Sequence, residues 1–174
     1  MRNKLKNMSF AALGAAVLCV LAPLSLPAGA IPITLSYFAV LLVAGILPPK
    51  TALPATFVYI ALGAVGAPVF SGFQGGFQVI AGPTGGFILS YLPMAAVVSL
   101  LKGKLPKTIA AMFVSAILGY FIGSLWLSFT TESKFLSSLL YTAATCLVPD
   151  VFKISAAAVL SCAIRKRLAR NILM

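Results

Sequence analysis

Six long stretches of apolar residues leave few folds open to this chain. They run from Met8 to Leu26, Ile33 to Leu47, Thr51 to Val65, Gly85 to Leu101, Thr108 to Phe129 and Phe135 to Ile164. A helix needs about 17 to 25 mostly apolar residues to cross a bilayer, and 61% of the 174 residues are hydrophobic. The sequence therefore predicts an all-α membrane protein, a six-transmembrane-helix bundle built as one domain over residues 1–174.

The positions of the charged residues predict how this bundle is oriented. Of the 13 basic residues, Lys134 lies in a loop on one side and Lys153 lies inside a span. The others all fall before the first span or in loops on the opposite side: Arg2, Lys4, Lys6, Lys50, Lys102, Lys104, Lys107, Arg165, Lys166, Arg167 and Arg170. Cytoplasmic loops collect Lys and Arg. We therefore expect both termini to be cytoplasmic, in a multi-pass protein of the cell (plasma) membrane.

The amino-terminal stretch imitates a secretory signal, with a basic start, an apolar run and the small residues Ala28-Gly29-Ala30. The apolar run is long for a signal and continues through Pro23 to Pro27. We therefore expect it to be retained as the first span.

Composition also excludes several classes of function. The net charge of +11 is scattered over short loops, so we expect contacts with membrane lipid and no nucleic-acid partner. The chain has no histidine, its only acids are Glu132 and Asp150, and its three cysteines lack metal-ligand spacing. The residues needed for His-based catalytic triads, for metal-dependent hydrolysis and for paired-carboxylate catalysis are therefore missing. We expect no enzyme activity, no metal and no cofactor.

The uncharged loop from Gly66 to Thr84 is the first candidate for a ligand site. Gln74 and Gln78 alternate there with Phe70, Phe73 and Phe77, a composition suited to a ligand with apolar and hydrogen-bonding parts. Its glycines allow unusual backbone angles. The alternative is a flexible linker. The loop ends in Gly82-Pro83-Thr84-Gly85-Gly86-Phe87, which lacks the lysine of a phosphate-binding loop.

Asp150 and Lys153 are the second candidate, because they are the charged residues of an otherwise uncharged apolar span. Either charge costs roughly 2.5 to 3.5 kcal/mol at the centre of a bilayer. Their i, i+3 spacing places them on one helix face, where they can neutralise each other. Pro149 should make this helix irregular and free a carbonyl near Thr145 or Cys146. The alternative is an ion pair that only locks the helix into the bundle.

A row of small residues on the first span, including Ala11, Ala15 and Cys19, would let another helix approach closely. Its partner could be a helix of the same bundle or a second protein.

These features together resemble the BioY family, the biotin-specific S components of energy-coupling factor vitamin transporters. The resemblance spans nearly the whole chain. It rests on Pro32-Ile33-Thr34-Leu35, on Gly66-Ala67-Pro68-Val69-Phe70 with Gly72, on the Gly82–Phe87 segment, and on Pro149-Asp150 with Lys153. It departs from the family pattern at Ser36, at Phe87 and in the residues that precede Asp150.

The resemblance implies a pocket that opens to the outside beneath the loops after the first and third spans, where biotin is held. Asp150 would accept a hydrogen bond from a ureido N–H of biotin, and Lys153 would keep Asp150 ionised. Phenylalanines would cover the rings and the tail of biotin. The implied substrate-binding residues are Asp150, Lys153, Thr34, Phe70, Phe73, Gln74, Phe77, Gly82, Thr84, Gly85 and Phe87. Partners would be a transmembrane coupling protein, docked on Ala11 and Ala15, and two cytoplasmic ATPase subunits.

Two other functions fit the same residues. A stand-alone secondary carrier or channel could use Asp150 and Lys153 as a proton or ion site, since intramembrane acids often serve relays. A purely structural subunit would bind no ligand.

Overall fold

The computed structural model describes residues 2–26 and 33–172, and most of these are helical. The helices are α1 (Arg2–Leu21), α2 (Ser36–Ile46), α3 (Pro49–Ala64), α4 (Phe77–Ala81), α5 (Gly85–Leu101), α6 (Leu105–Thr130) and α7 (Phe135–Ile172). Two short strands, β1 (Ser25–Leu26) and β2 (Ile33–Thr34), pair antiparallel between α1 and α2. Each predicted span corresponds to one helix, and α4 is an addition within the loop before α5. The segment Ala28-Gly29-Ala30 lies outside the described residues.

Helix length decides how far the membrane prediction is supported. Among the described residues, three helices are long and apolar enough to cross a membrane, within Lys4–Leu21, Leu105–Thr130 and Phe135–Leu168. Helices α2 and α5 are apolar but shorter. At a rise of about 1.5 Å per residue, α2 spans roughly half the hydrocarbon thickness. The helical membrane class is supported, whereas six crossings and cytoplasmic termini stay predictions.

The expected irregularity at Pro149 does not interrupt the helix. Helix α7 runs continuously from Phe135 to Ile172 with Pro149 inside it. It packs against α2 and α6 along its length, and such neighbours hold a proline-containing membrane helix in place although one amide donor is missing. Helix α7 therefore continues through Pro149, and the local irregularity with a freed carbonyl near Thr145 or Cys146 stays a prediction.

Small residues allow the helices to approach one another closely. A β-carbon built on Gly86 of α5 would lie 2.1 Å from Cβ of Trp126 on α6, and one on Gly45 of α2 would lie 2.7 Å from Cβ of Ser161 on α7. Such positions accept no side chain without a shift of the helices. The bundle is therefore closely packed between α5 and α6 and between α2 and α7.

The loops divide between two ends of the bundle. At one end, Ser36 Oγ donates to the Ala22 carbonyl at 2.9 Å, which places the end of α1 beside the start of α2. At the other, Lys102 Nζ donates to the carbonyls of Ala44 and Leu47. Burial, with the nearby positive charge of Arg165, lowers the pKa of Lys102 to about 8. We call these the ribbon end, after β1 and β2, and the basic end.

Candidate functional site

A cavity of about 540 Å³ lies at the ribbon end of the bundle. This volume is in the range of small-molecule sites. Its wall is formed by Ser25, Thr34, Ser36, Tyr37, Tyr59, Phe70, Ser71, Gly72, Gln74, Val79, Thr84, Phe87, Ile88, Ser90, Tyr91, Gly119, Tyr120, Cys146, Asp150 and Lys153. Every helix except α1 contributes at least one of these residues, as do β1, β2 and the loop before α4.

The charged part of the wall is a carboxylate held by two protein donors. Lys153 Nζ lies 2.9 Å from Asp150 Oδ1, and the Tyr120 hydroxyl donates to Oδ2 at 2.6 Å. Asp150 is only 4% exposed. The predicted i, i+3 pairing is thus present, and Tyr120 on α6 adds a donor that the sequence did not reveal. Each carboxylate oxygen has two lone pairs, so each retains acceptor capacity for a ligand N–H.

The cover of the cavity comes from two connected segments. The Gly72 amide donates to the Pro23 carbonyl at 2.9 Å, which joins the loop before α4 to the residues that follow α1. The Gly76 amide donates to the Gly63 carbonyl at 2.7 Å. Gly66, Gly72 and Gly76 have positive φ, so the loop uses the backbone freedom that its glycines predict. A folded loop tied at both sides argues against the flexible linker.

Phe70 is the loop side chain that enters the protein interior. It is 1% exposed and packs edge-to-face on Tyr59, with ring centroids 5.8 Å apart. A β-carbon on Gly63 would lie 2.1 Å from Cζ of Phe70, so the absence of a side chain there makes room for the ring. This packing holds the loop over the cavity.

Of the predicted binding residues, the structure brings seven to the cavity wall: Thr34, Phe70, Gln74, Thr84, Phe87, Asp150 and Lys153. Four others lie outside it. Phe73 and Phe77 are 65% and 71% exposed. Gly82 accepts a hydrogen bond from Trp126 Nε1 at 2.9 Å through its carbonyl, and Gly85 packs on the backbone of Ile80. None of these four residues lines the cavity, and their role in substrate binding stays a prediction.

The role of Gly85 in packing gives a testable consequence. A β-carbon at Gly85 would lie 1.6 Å from the Ile80 carbonyl oxygen, which is backbone and cannot rotate away. We expect Gly85→Ala to lower the free energy of unfolding by about 1 to 3 kcal/mol, the usual cost of overpacking. Thermal unfolding in detergent measures it. Gly82→Ala is the control, since its β-carbon comes no closer than 3.2 Å to Gln78 O; equal stability of both variants would contradict the packing role.

The residues that sequence reasoning missed include four tyrosines. Tyr37, Tyr59, Tyr91 and Tyr120 line the cavity from four different helices, and the chain has five tyrosines in all. Tyrosine within a span, away from the membrane interface, needs a polar partner for its hydroxyl. The sequence contains that signal. It does not show on which face of its helix each tyrosine lies.

The small-residue row on α1 packs mainly within the bundle. Ala15 is 5% exposed, Ala11 is partly buried against the core, and a β-carbon on Gly14 would lie within 3.2 Å of Leu47, Ala55 and Val43. Of the two partners left open above, the structure shows a helix of the same chain. Docking of a second protein on Ala11 and Ala15 stays a prediction, and Ala15 has little free surface for it.

Comparison with known proteins places these features in a family. The model of the BioY family matches residues 1–170. The biotin transporter BioY2 of Lactococcus lactis subsp. cremoris (strain MG1363) is 42% identical over 135 residues, which cover 75% of this chain and 74% of that protein. The probable biotin transporter BioY of Pyrococcus horikoshii is 35% identical over 159 residues, covering 91% and 95%.

A solved structure shares the fold. The S-component for biotin from an ECF-type ABC transporter superposes with a TM-score of 0.87, covering 95% of this chain and 93% of that one. Because the two are 24% identical, this likeness supports the architecture alone.

Proposed function

Because this chain belongs to the BioY family, we propose that it is the biotin-binding membrane subunit of a vitamin uptake transporter in the cell membrane. It takes biotin from the outside into the cavity at the ribbon end. One observation carries this proposal: a buried carboxylate, held by Lys153 and Tyr120, lies in a cavity of vitamin size beneath a folded loop.

The chemistry of biotin fits the wall of this cavity. Its ureido ring has two N–H donors and a carbonyl, its second ring is a thioether, and its tail ends in a carboxylate. Asp150 accepts a ureido N–H in a charge-assisted bond. Lys153 has three ammonium donors, of which one is used on Asp150. Phe70 and Phe87 cover the apolar rings, while Thr34, Gln74 and Thr84 supply further polar contacts from the wall.

Transport by this subunit depends on partners for energy. The sequence has no Walker motif, so ATP hydrolysis comes from two cytoplasmic ATPase subunits, joined through a transmembrane coupling protein. The structurally similar chain belongs to an ECF-type ABC transporter, and we assign the same arrangement to this chain by analogy. On α1, Ala12 and Ala16 are exposed and offer the accessible small-residue surface beside Ala11.

A stand-alone carrier or channel is the competing function, because the ion pair of Asp150 and Lys153 is also suited to a proton or ion site. Uptake measured with and without co-expressed ATPase partners, and with and without a proton gradient, separates the two. Dependence on the gradient alone would favour the carrier.

Protection of Cys146 from alkylation by biotin tests the proposed site directly. Cys146 lines the cavity, whereas Cys162 accepts from Arg165 Nη2 at the basic end. In a Cys19→Ala/Cys162→Ala protein, Cys146 is the sole thiol of the chain. We expect biotin to slow its reaction with a small maleimide by about tenfold or more at saturation, since the ligand occupies the space that the reagent must enter. Thiamine should have no effect.

The matched control keeps Cys162 as the sole thiol through Cys19→Ala/Cys146→Ala. Biotin should leave its alkylation rate unchanged. If the protein binds labelled biotin but Cys146 is not protected, biotin binds outside this cavity. If the protein does not bind biotin, the proposed function is wrong.

A further inference from the structure

Tyr37 carries a buried hydroxyl that has no hydrogen-bond partner. The residue lies near the start of α2, lines the cavity and is 8% exposed. Within residues 2–26 and 33–172, its Oη and Arg165 Nε are the two buried side-chain nitrogen or oxygen atoms that lack a partner. Arg165 lies at the basic end. Buried polar groups are nearly always paired, and an unpaired one costs free energy.

Three other hydroxyls of the wall are already used within the protein. The Ser36 hydroxyl donates to the Ala22 carbonyl at 2.9 Å, the Ser90 hydroxyl donates to the Phe87 carbonyl at 2.7 Å, and the Tyr120 hydroxyl donates to Asp150. Tyr37 thus presents an unused O–H donor to the cavity. A group kept in this state in the empty protein gains its partner when a ligand with an acceptor enters.

We propose that the Tyr37 hydroxyl donates a hydrogen bond to the ureido carbonyl oxygen of the ligand and thereby selects cyclic ureas. This inference rests on the proposed function. It assigns to Tyr37 a role in specificity that complements Asp150, which accepts from the ureido N–H.

Repulsion by the Asp150 carboxylate determines which acceptor atom of the ligand can bind to Tyr37. Tyr37 lies near enough to Asp150 for the two groups to interact electrostatically. A ligand carboxylate in this part of the cavity would be repelled by the Asp150 carboxylate, whereas the ureido group is neutral. In a urea the N–H and the carbonyl oxygen are on adjacent atoms. A ligand that donates its N–H to Asp150 therefore places its carbonyl oxygen close by, where Tyr37 can donate to it.

Selectivity follows from the same hydroxyl. A site built to hydrogen-bond a ligand oxygen rejects an analogue that lacks it, because the buried protein group is then left unpaired. Replacement of the carbonyl oxygen by sulfur, as in 2-thiobiotin, provides such an analogue, since thiocarbonyl sulfur is a weak acceptor. Desthiobiotin lacks the thioether but keeps the ureido carbonyl, and is the matched control ligand.

The Tyr37→Phe variant tests the proposal because it removes only the hydroxyl. Affinity for biotin and for desthiobiotin should fall by about threefold to tenfold, the fold-change for one neutral hydrogen bond. Affinity for 2-thiobiotin should change by less than about twofold. The melting temperature of the ligand-free variant should equal or exceed that of wild type, since no protein bond is lost. Tyr141→Phe, outside the cavity lining, should match wild type in its affinity for all three ligands.

Each of these measurements can contradict the proposed role of Tyr37. An unchanged biotin affinity, an equal loss for all three ligands, or a ligand-free variant that melts lower or fails to fold would overturn the role of Tyr37. A wild-type protein that does not bind biotin would instead overturn the proposed function. Binding of biotin to the wild-type protein is therefore measured before the variants.

Discussion

Asp150→Asn is expected to weaken biotin binding by roughly 10- to 100-fold. A hydrogen bond to an ionised group contributes about 1.5 to 3 kcal/mol, and about 1.4 kcal/mol corresponds to a factor of ten in affinity. Asparagine keeps the size of the side chain but loses the charge, and it turns one acceptor into a donor that faces the ureido N–H. Equilibrium binding of labelled biotin to detergent-purified protein measures the change.

Glu132→Gln is the matched control for this variant. Glu132 is the other acid of the chain and is exposed in the turn between α6 and α7. The control alters the net charge by the same amount but leaves the cavity intact, so its affinity should equal that of wild type. Full affinity in a folded Asp150→Asn protein would remove Asp150 from the binding site.

Lys153→Met is expected to lower the free energy of unfolding by about 3 kcal/mol. Removing one partner of a buried ion pair leaves the other charge uncompensated, at a cost of about 3 to 5 kcal/mol. The side chains of Lys153 and Asp150 are 13% and 6% exposed, and Asp150 would retain only the donor from Tyr120. We place the effect at the lower limit because the Lys153 side chain is partly exposed and Tyr120 still donates to Asp150. Thermal or denaturant unfolding in detergent provides the measurement.

The double variant Asp150→Asn/Lys153→Met separates a ligand site from a structural pair. It carries no buried charge at this position, so much of the lost stability should return. Biotin binding should not return with it, because the acceptor for the ureido N–H is gone. A double variant that is stable and binds biotin like wild type would show that the pair only locks α7 into the bundle.

A lysine control completes the comparison. Lys134→Met removes a charge from an exposed position immediately before α7, and exposed charges contribute little to stability. Its unfolding should therefore match that of wild type. If Lys153→Met also left the free energy of unfolding unchanged, the Asp150 carboxylate would need no compensation from Lys153.

Local patterns were sufficient to predict the helices and the ion pair. Helix formation along apolar runs requires only that backbone groups be satisfied within the segment, since lipid offers them no partners. Each predicted span accordingly matches a helix, with ends that differ by up to eight residues. The spacing of Asp150 and Lys153 dictates their contact through helix geometry alone, and the structure has it at 2.9 Å. Three of the four positive φ angles of the loop fall on glycines, and the fourth is at Phe73.

The orientation of side chains in the loop depended on contacts far away in the chain. Phe70, Phe73 and Phe77 are equivalent as a sequence pattern, yet only Phe70 is buried, because Gly63 and Tyr59 leave space for its ring. Gly85 resembles a ligand contact but packs on Ile80. No local propensity distinguishes these cases, since each is decided by which surface another element presents.

Apolar runs and residue spacing are enough to predict a helical membrane protein with one acid and one base on the same face of a helix. What surrounds that pair depends on how the helices pack: Tyr120 from α6, Tyr37 from α2 and a cover tied to the end of α1. The two differ in the distance along the chain over which the interactions act. Backbone hydrogen bonds and helix periodicity act within a few residues, whereas a cavity is the space left when helices distant in sequence pack together.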